Sequence, residues 1–524
     1  MALPAELNDA KALIKRFEKA KKRRNASWWS HMEECYSYAA PQRETFFEHS
    51  PGQKKNTEVY DDTAVIGLQT FASRMQQSVV PPWQQFAKLV AGSDLTGEGA
   101  DQRVEYEGEE VTLAEALESI TDVVFSYIHR SNFDAKIYEA FIDFGISTGV
   151  LTCDYVVDDD ELVFDAMPLP QAYLEAGPRG QIDTVWRESE IEVRLVPQYW
   201  PDAKLPDRLE RKIEKEPEAK ATFVEGFVYN PKDRATYYIV ISKSDKEVIF
   251  YQTDDVSPAI AFRGMVVPGE NYGRGPIMQV LATIKTLNMV KEFELTSGAI
   301  AASGVWTGVD DGTFNPYTVQ VAPGIVIPVT SNETSNPTLA PLPMNFDFNF
   351  TQIKAEELQS VINSTLFANP IGDIDDPTKT ATEITIRRQL DLQEQSAFFS
   401  RVQTELVERL MKRVVYVLQR EGVIPKIKID GKEVAIKHVS PIAKAMDLED
   451  VQTVGQAIQI ASAVGPEMMA MGIKIEDYPS YVAEKLGVDP SLRRSDVEQK
   501  QLQEMVAQFI AQAQMAQQGG GEGA

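Results

Sequence analysis

The longest acidic run in the chain, Asp158-Asp-Asp-Glu161, has the residue type to hold a divalent cation. Its flanks, Tyr155-Val-Val157 and Leu162-Val-Phe164, have strand character, so the pattern predicts a hairpin with an acidic turn instead. A second acidic set, Asp373, Asp375 and Asp376, lies in Phe367-Ala-Asn-Pro-Ile-Gly-Asp-Ile-Asp-Asp-Pro-Thr378. Two prolines and a glycine exclude regular structure there, and the aspartates lack the spacing of a calcium loop, so a mobile acidic loop is expected. The four histidines, His31, His49, His129 and His438, are too scattered to share a metal. His31 and Cys35 sit four apart on a predicted helix, but two ligands do not make a zinc site. Gly431-Lys432 is followed by Glu433 and lacks the upstream glycine of a phosphate loop, so a nucleotide-driven motor has no cradle here. No nucleophile elbow and no acid–base constellation emerges. The expectation is a protein with no catalytic residues, no cofactor and no metal.

Glycine and proline instead concentrate in Gly269-Glu-Asn-Tyr-Gly-Arg-Gly-Pro276. Three glycines and a proline in eight residues predict a tight turn, and proline is least costly as the first residue of a helix. The segment that follows repeats apolar residues at spacings of three and four, Ile277, Leu281, Ile284, Leu287 and Val290, as far as about Ser303. Residues 304–349 are rich in Gly, Pro, Asn and Asp, and a second helix is expected over 350–366 through Ile353, Leu358, Val361 and Ile362. Two helices thus bracket a helix-poor insert.

The other elements follow the same periodicities. Residues 1–24 predict an amphipathic helix, with Leu7, Ala10, Ile14 and Phe17 on one face. Lys11, Lys15, Lys19 and the run Lys21-Lys-Arg-Arg24 lie on the other, read as a solvated face in preference to a DNA or membrane contact. Helices are expected over 57–80, ending at Pro81-Pro82, and within 112–147; residues 150–265 then turn to strand character, with Val185–Val193 and Tyr237–Ser242 the clearest. Thr380-Ala-Thr-Glu383 is a capping box opening a helix whose stripe, Leu390, Phe398, Val402, Leu406, Leu410 and Val414, runs to about Arg420. A helix of that length crosses a large assembly or is kinked. Residues 447–515 read as a separate helical module, and the glycine-rich end as a disordered tail. The fold class is α+β, predominantly helical.

With 524 residues and 43% hydrophobic content, the chain supports several folded domains. Its net charge of −26, from 78 acidic and 52 basic residues, is the reverse of an ordinary DNA-binding footprint. That balance suits a surface past which DNA slides without sticking. Cys35 and Cys153 are expected as free thiols in a core. No segment has the ~20 apolar residues of a membrane span, and no secretory signal is expected.

The order of these motifs resembles the portal, or head-to-tail connector, family of short-tailed bacteriophages. The resemblance rests on Trp28-Trp29, Val59-Tyr-Asp-Asp-Thr-Ala64, Met75, Val79-Val-Pro-Pro-Trp83, Tyr272-Gly-Arg-Gly-Pro276, Leu287-Asn288 and Thr380-Ala-Thr-Glu383. It covers about residues 28–420, and the C-terminal module is placed by position only. It implies a ring of about twelve copies at one capsid vertex, assembled in the host cytoplasm, with double-stranded DNA passing non-specifically through its channel. Terminase, tail adaptor proteins, capsid and scaffolding proteins are the implied partners. Mapped onto this chain, it implies a wing at 1–275 and 380–446, stem helices at 276–303 and 350–366, and a clip at 304–349. A channel loop at 367–379, a crown at 447–515 and a tail at 516–524 complete the division.

The resemblance further implies that Asp373, Asp375 and Asp376 face DNA and that stem residues Lys285 and Lys291 are candidates for weak phosphate contact. Gly273, Arg274, Gly275 and Pro276 are expected to form a structural turn or subunit contact. The competing class is another non-enzymatic ring-forming adaptor or capsid-vertex protein, which would share the acidic profile but has no need of a helix–insert–helix stem.

Overall fold

The computed structural model describes residues 3–43, 59–92, 103–106, 109–303, 306–308, 339–341, 348–368, 399–427, 434–439, 451, 453–459, 478–479 and 482. Helices α1 (Ala10–Ser27), α2 (Trp29–Ala39) and α3 (Thr63–Val79) come first, then β1 (Ala87–Ala91), β2 (Arg103–Tyr106) and β3 (Glu109–Thr112). Helices α4 (Leu113–Arg130) and α5 (Phe133–Ile146) lead into β4 (Thr148–Val156), β5 (Glu161–Ala166), β6 (Ala172–Ala176) and β7 (Ile182–Glu192). Two short helices, α6 (Val196–Tyr199) and α7 (Asp207–Lys215), precede β8 (Lys220–Asn230), β9 (Ala235–Ser242), β10 (Glu247–Asp254) and β11 (Ala259–Arg263). Helix α8 (Pro276–Ser303), β12 (Trp306–Gly308), β13 (Leu339–Pro341) and α9 (Phe348–Thr365) follow, with α10 (Glu408–Arg420) and β14 (Val434–His438) last. The mixture is α+β. Two compact units result, one of Met1–Gln76, Ser126–Ile384 and Ala397–Pro425, the other of Gln77–Phe125, Thr385–Ser396 and Lys426–Ala524.

In the first unit an antiparallel sheet runs β10-β9-β8-β7-β6. Its strands alternate, so opposite faces carry different apolar sets. Trp186, Val224, Tyr237, Ile239 and Ile241 pack under α1, while Phe223, Val240 and Ile249 pack under α6 and α7 with Val196, Trp200 and Leu209. Helix α1 starts at Asp9, whose carboxylate accepts from the Lys11 and Ala12 amides at 3.0 and 3.2 Å; these donors have no partner inside the helix. Its apolar face, Ala10, Leu13, Ile14, Phe17 and Ala20, is buried as the stripe requires.

The solvated reading of the basic run fails at its end. Arg24 is only 1% exposed, its Nη1 donating to the carbonyls of Leu169, Pro170 and Ala172, with its guanidinium 4.0 Å from the Tyr173 ring centre. Position 24 is four residues beyond Ala20 and seven beyond Phe17, so it falls on the apolar stripe. Lys21 is also engaged, in an ion pair with Glu188.

A three-stranded antiparallel sheet, β11-β4-β5, carries α5. The turn between β4 and β5 holds Asp158–Asp160, so the acidic run is a hairpin turn. Asp160, at φ 51°, gathers Tyr127, Tyr155 and Arg130 around its own carboxylate. The late helix is interrupted: residues 399–402 are α-helical, Gln403–Val407 form a π turn, and α10 continues to Arg420. Val402, Leu406, Leu410 and Val414 are buried as expected, while the capping box at 380–383 lies outside the described residues. Cys35 and Cys153 are buried free thiols, both pushed up to about 12 by burial.

In the second unit, β1 pairs antiparallel with β14, Ala87 opposite His438, and β2 pairs with β3. Thr112 and Glu115 form a capping box at the start of α4: the Thr112 amide donates to Glu115 at 2.9 Å and the Glu115 amide to Thr112 at 3.3 Å. Thr121 Oγ1 then accepts from the Leu89 amide at 3.1 Å, and Phe86 meets Phe125 edge-on at 4.9 Å.

Candidate functional site

The Gly269–Pro276 corner is built by backbone meeting backbone. The Gly275 amide donates to the Ile146 carbonyl at 3.0 Å and the Arg274 amide to the Met265 carbonyl at 2.8 Å. Gly273 donates to Thr148 Oγ1 at 2.9 Å, and its carbonyl accepts from Ser147 Oγ at 2.7 Å. A Cβ on Gly275 would lie 2.3 Å from the Gly145 carbonyl oxygen and 2.5 Å from Ile146 backbone atoms. That glycine is therefore required by close approach, whereas Gly269 is favoured by its φ of +89°. Tyr272 is buried, accepting from the Leu174 amide at 3.1 Å and donating to the Ala172 carbonyl at 3.2 Å; burial pushes its phenol up to about 12. Helix α8 opens on Pro276, directly after these contacts.

Arg274 does not reach outward from this corner unpaired. It forms an ion pair with Glu270 at 2.7 Å, which raises the arginine and lowers the carboxyl from their ordinary values, and its guanidinium sits 5.4 Å from the Trp28 ring centre. A cleft of about 580 Å³ lies beside it, lined by Arg23, Trp28, His31, Glu270 and Arg274 among others.

Helices α8 and α9 pack on one another, and the Val59–Ala64 motif ties both. The Tyr60 amide donates to Asn288 Oδ1 on α8 at 2.7 Å. Asp61 accepts from Gln359 of α9 at 2.8 Å and also from the Thr63 amide at 2.9 Å, at the start of α3. Further along α3, Leu366 lies over Gly67, where a Cβ would approach it to 2.6 Å, and Phe71 stacks on Phe367 at 6.2 Å. Arg74 donates to the Phe367 carbonyl. The chain leaves α9 with Phe367 at φ 51° and a 2.7 Å bond from the Ala368 amide to Asn363.

The two halves of α8 differ. Ile277, Met278, Val280, Leu281, Ile284 and Leu287 are buried, but Met289, Phe293 and Leu295 are more than half exposed, as is Ile353 on α9. The candidate lysines are both paired: Lys285 with Glu34 at 3.3 Å and Lys291 with Glu294 at 3.0 Å. Asp373, Asp375 and Asp376 lie outside the described residues, as does most of 304–349.

One connection has no sequence motif. Arg263, buried at the end of β11, donates through its amide, Nε and Nη2 to the Glu405 carboxylate at 2.9, 3.2 and 2.8 Å. It also reaches the Asn271 carbonyl in the corner at 3.3 Å and the Gly180 carbonyl at 3.0 Å. Glu405 sits in the π turn, so one arginine joins the late helix to the root of α8. The only advance signal was a helix long enough to expect a kink. A similar buried pair, Arg413 with Asp254 at 2.9 Å, holds the next turns of α10.

What these elements build is a helical pair rooted in an α+β body by a close-packed corner. A family model described as the bacteriophage head to tail connecting protein matches residues 10–493, and the chain belongs to that family. It has a connector role in the phage particle, joining head to tail. No curated protein matches it. Among solved structures, a chain from the neck of an empty GTA particle, computed with C6 symmetry, is similar at 12% identity, covering 82% of this chain and 91% of that one, with a TM-score of 0.35. A chain from the virion of a native gene transfer agent (GTA) particle is also 12% identical, with 90% and 99% covered and a TM-score of 0.37. Among the described residues no helix is long and apolar enough to cross a membrane.

Proposed function

We propose that this connector is a non-enzymatic portal subunit that closes into a ring of about twelve copies at one capsid vertex. DNA is packaged and ejected through the axial channel, and the short-tailed phages are the proposed setting. In this reading α8 and α9 are the stem, the insert 304–349 is the clip that meets terminase and then tail adaptor proteins, and 367–379 is the channel loop. Residues 1–275 and 380–446 form the wing toward capsid and scaffolding proteins, with 447–515 as the crown. Assembly takes place in the host cytoplasm.

The observation that supports the reading most is the exposure of the large apolar side chains Met289, Phe293 and Leu295 on the outer half of α8 and of Ile353 and Val361 on α9. Several large apolar side chains left exposed on one helical pair favour association with other copies, and a head-to-tail contact repeated around an axis closes a ring. A ring multiplies the −26 charge by its copy number, which disfavours lasting phosphate contacts. Lys285 and Lys291, each already beside a carboxylate, offer phosphate only weak and brief contacts.

Electron micrographs of the purified chain test the assembly: rings of about twelve with an axial hole are expected, and Phe293→Glu with Leu295→Glu should leave monomers. Sheets, tubes or rings unaffected by that variant would sink the proposal. For the loop, lysine at Asp373, Asp375 and Asp376 together should impair packaging or retention of DNA more than ring assembly. Normal genome length and normal ejection in that variant refute its role.

A further inference from the structure

On the sheet face that packs against α6 and α7 lies a cleft of about 340 Å³ that a connector role leaves unused. Glu225 of β8 lines it and is only 7% exposed. Its carboxylate accepts hydrogen bonds from two neutral groups, Ser189 Oγ at 3.0 Å and Tyr238 Oη at 2.8 Å. Tyr238 accepts in turn from the indole N–H of Trp200 at 2.9 Å. Burial, and then the Glu225 charge, raise the Tyr238 phenol well above its ordinary value, so it remains a donor.

The nearest cation in register is Arg187, opposite Glu225 in the β7–β8 ladder. Arg187 also lines the cleft, but its guanidinium is held by other partners, Nε by Gln171 at 3.3 Å and Nη1 by Asp165 at 3.1 Å. The other lining carboxylates, Asp154 and Glu190, each have a cation 3.7 Å away, Arg413 and Lys220. Among the described residues Glu225 has no such ion pair. A buried charge held only by neutral donors is a costly arrangement that an incoming cation relieves.

The rest of the lining selects the kind of cation. Tyr199, Trp200, Tyr238 and Phe250 stand around the cleft, with Tyr199 and Trp200 ring centres 5.8 Å apart and Tyr238 and Phe250 also 5.8 Å apart. Aromatic faces beside a carboxylate favour an organic cation, whose charge meets the acid while its methylenes cover the rings. A divalent metal needs an oxygen cage, and the described residues contain no group of three or more His, Cys, Asp or Glu able to form one. A neutral sugar would stack on the rings but leave Glu225 uncompensated.

We propose that this cleft binds a primary alkylammonium group, with Glu225 as its anion and Tyr199, Trp200, Tyr238 and Phe250 as its walls. The shared chemistry has two sources, a free aliphatic polyamine or the side chain of a lysine. Calorimetric titration of the full chain with putrescine, spermidine and Nα-acetyl-lysine amide tests it, with glucose and magnesium as controls. Saturable binding of one amine per chain is expected, on top of loose salt-sensitive association with the acidic surface. Glu225→Gln should weaken it by about tenfold or more, since it removes the buried charge. Tyr199→Ala, at a 61% exposed position that tolerates truncation, should weaken it by roughly threefold through loss of one cation–π wall. Asp158→Asn with Asp159→Asn, in the hairpin turn, should leave it unchanged. Lysine amide matching putrescine assigns the site to a protein side chain, and a much weaker lysine amide assigns it to free polyamine; both support the proposal. Absence of saturable binding, equal affinity in Glu225→Gln, or equal binding of glucose or magnesium overturns it.

Discussion

Replacing Gly275 with alanine adds one methyl group where the corner lies against the end of α5. That methyl would sit 2.3 Å from the Gly145 carbonyl oxygen and 2.5 Å from two Ile146 backbone atoms, well inside the 3.0 Å that real Cβ contacts respect. No side chain can rotate away, because all three neighbours are backbone. The corner must therefore retreat by about 1 Å in a close-packed region, stretching the 3.0 Å bond from the Gly275 amide to Ile146. Overpacking of this kind costs about 1–3 kcal/mol and the weakened hydrogen bond about 1 kcal/mol more, so a loss of about 2–4 kcal/mol is expected. Gly298, further along in α8, is the internal control: among the described residues a Cβ there meets nothing within 4 Å. Alanine at 298 should stabilise by about 0.5–1 kcal/mol, by removing glycine's extra backbone freedom from the unfolded chain. Urea unfolding followed by tryptophan fluorescence, read as the shift of the transition that includes the first unit, measures both. An unchanged midpoint for Gly275→Ala, or an equal loss for Gly298→Ala, refutes the close-approach argument.

The buried Arg263–Glu405 pair predicts strong non-additivity. Arg263→Met or Glu405→Met alone strands a charge and should cost about 3–5 kcal/mol, while the double variant recovers much of that loss; additive losses in a double-mutant cycle overturn this. The two cysteines should be inert toward a thiol reagent at pH 8 until the chain is unfolded, when both react. Their folded values of about 12 lie above the ordinary 9.0, so unfolded thiols ionise first and stability should fall as pH rises from about 9 toward 12. Serine at both positions should flatten that decline in urea midpoints measured across the range. Lys285→Met with Lys291→Met should shift stability by less than about 1 kcal/mol, because both pairs are solvent-accessible. A larger shift in the melt would show that these pairs hold the helices.

Periodicity and punctuation made the elements legible. Pro276 opens α8; Ile277, Leu281, Ile284 and Leu287 of its stripe are buried while Val290 is half-buried, and the acidic run is a hairpin turn because its flanks have strand character. The second helix of the bracket begins at Phe348, two residues before the expected start, within the ordinary uncertainty of a helix end. Buried charge was illegible. Arg263 and Glu405 are 142 residues apart, and Arg413 meets Asp254 across 159, separations for which no spacing rule exists. Arg24 was within reach, since it continues the apolar stripe of α1, but its place in Lys21-Lys-Arg-Arg24 suggested solvent. The role of Gly275 was hidden for a different reason. Its need for glycine comes from Gly145 and Ile146, which lie about 130 positions earlier and leave no mark on the local sequence.

The corner's construction follows from leverage. Helix α8 has 28 residues and so extends about 42 Å at 1.5 Å per residue. An error of about 10° where it leaves the body displaces its far end by about 7 Å, whereas packed side chains tolerate a surface gap of only about 0.5–1 Å. If α8 is a stem that must meet its neighbours around a ring, the direction it takes at Pro276 has to be held more stiffly than side-chain contacts alone allow. Gly273 and Gly275 meet that demand by letting the chain touch the Gly145–Thr148 backbone, and Arg263 adds a buried tie from Asn271 to Glu405. Asn288 provides a second fixed point roughly 18 Å along the helix, through the Tyr60 amide. Beyond it, Met289, Phe293 and Leu295 expose apolar surface, which in that reading is what a neighbouring subunit would cover.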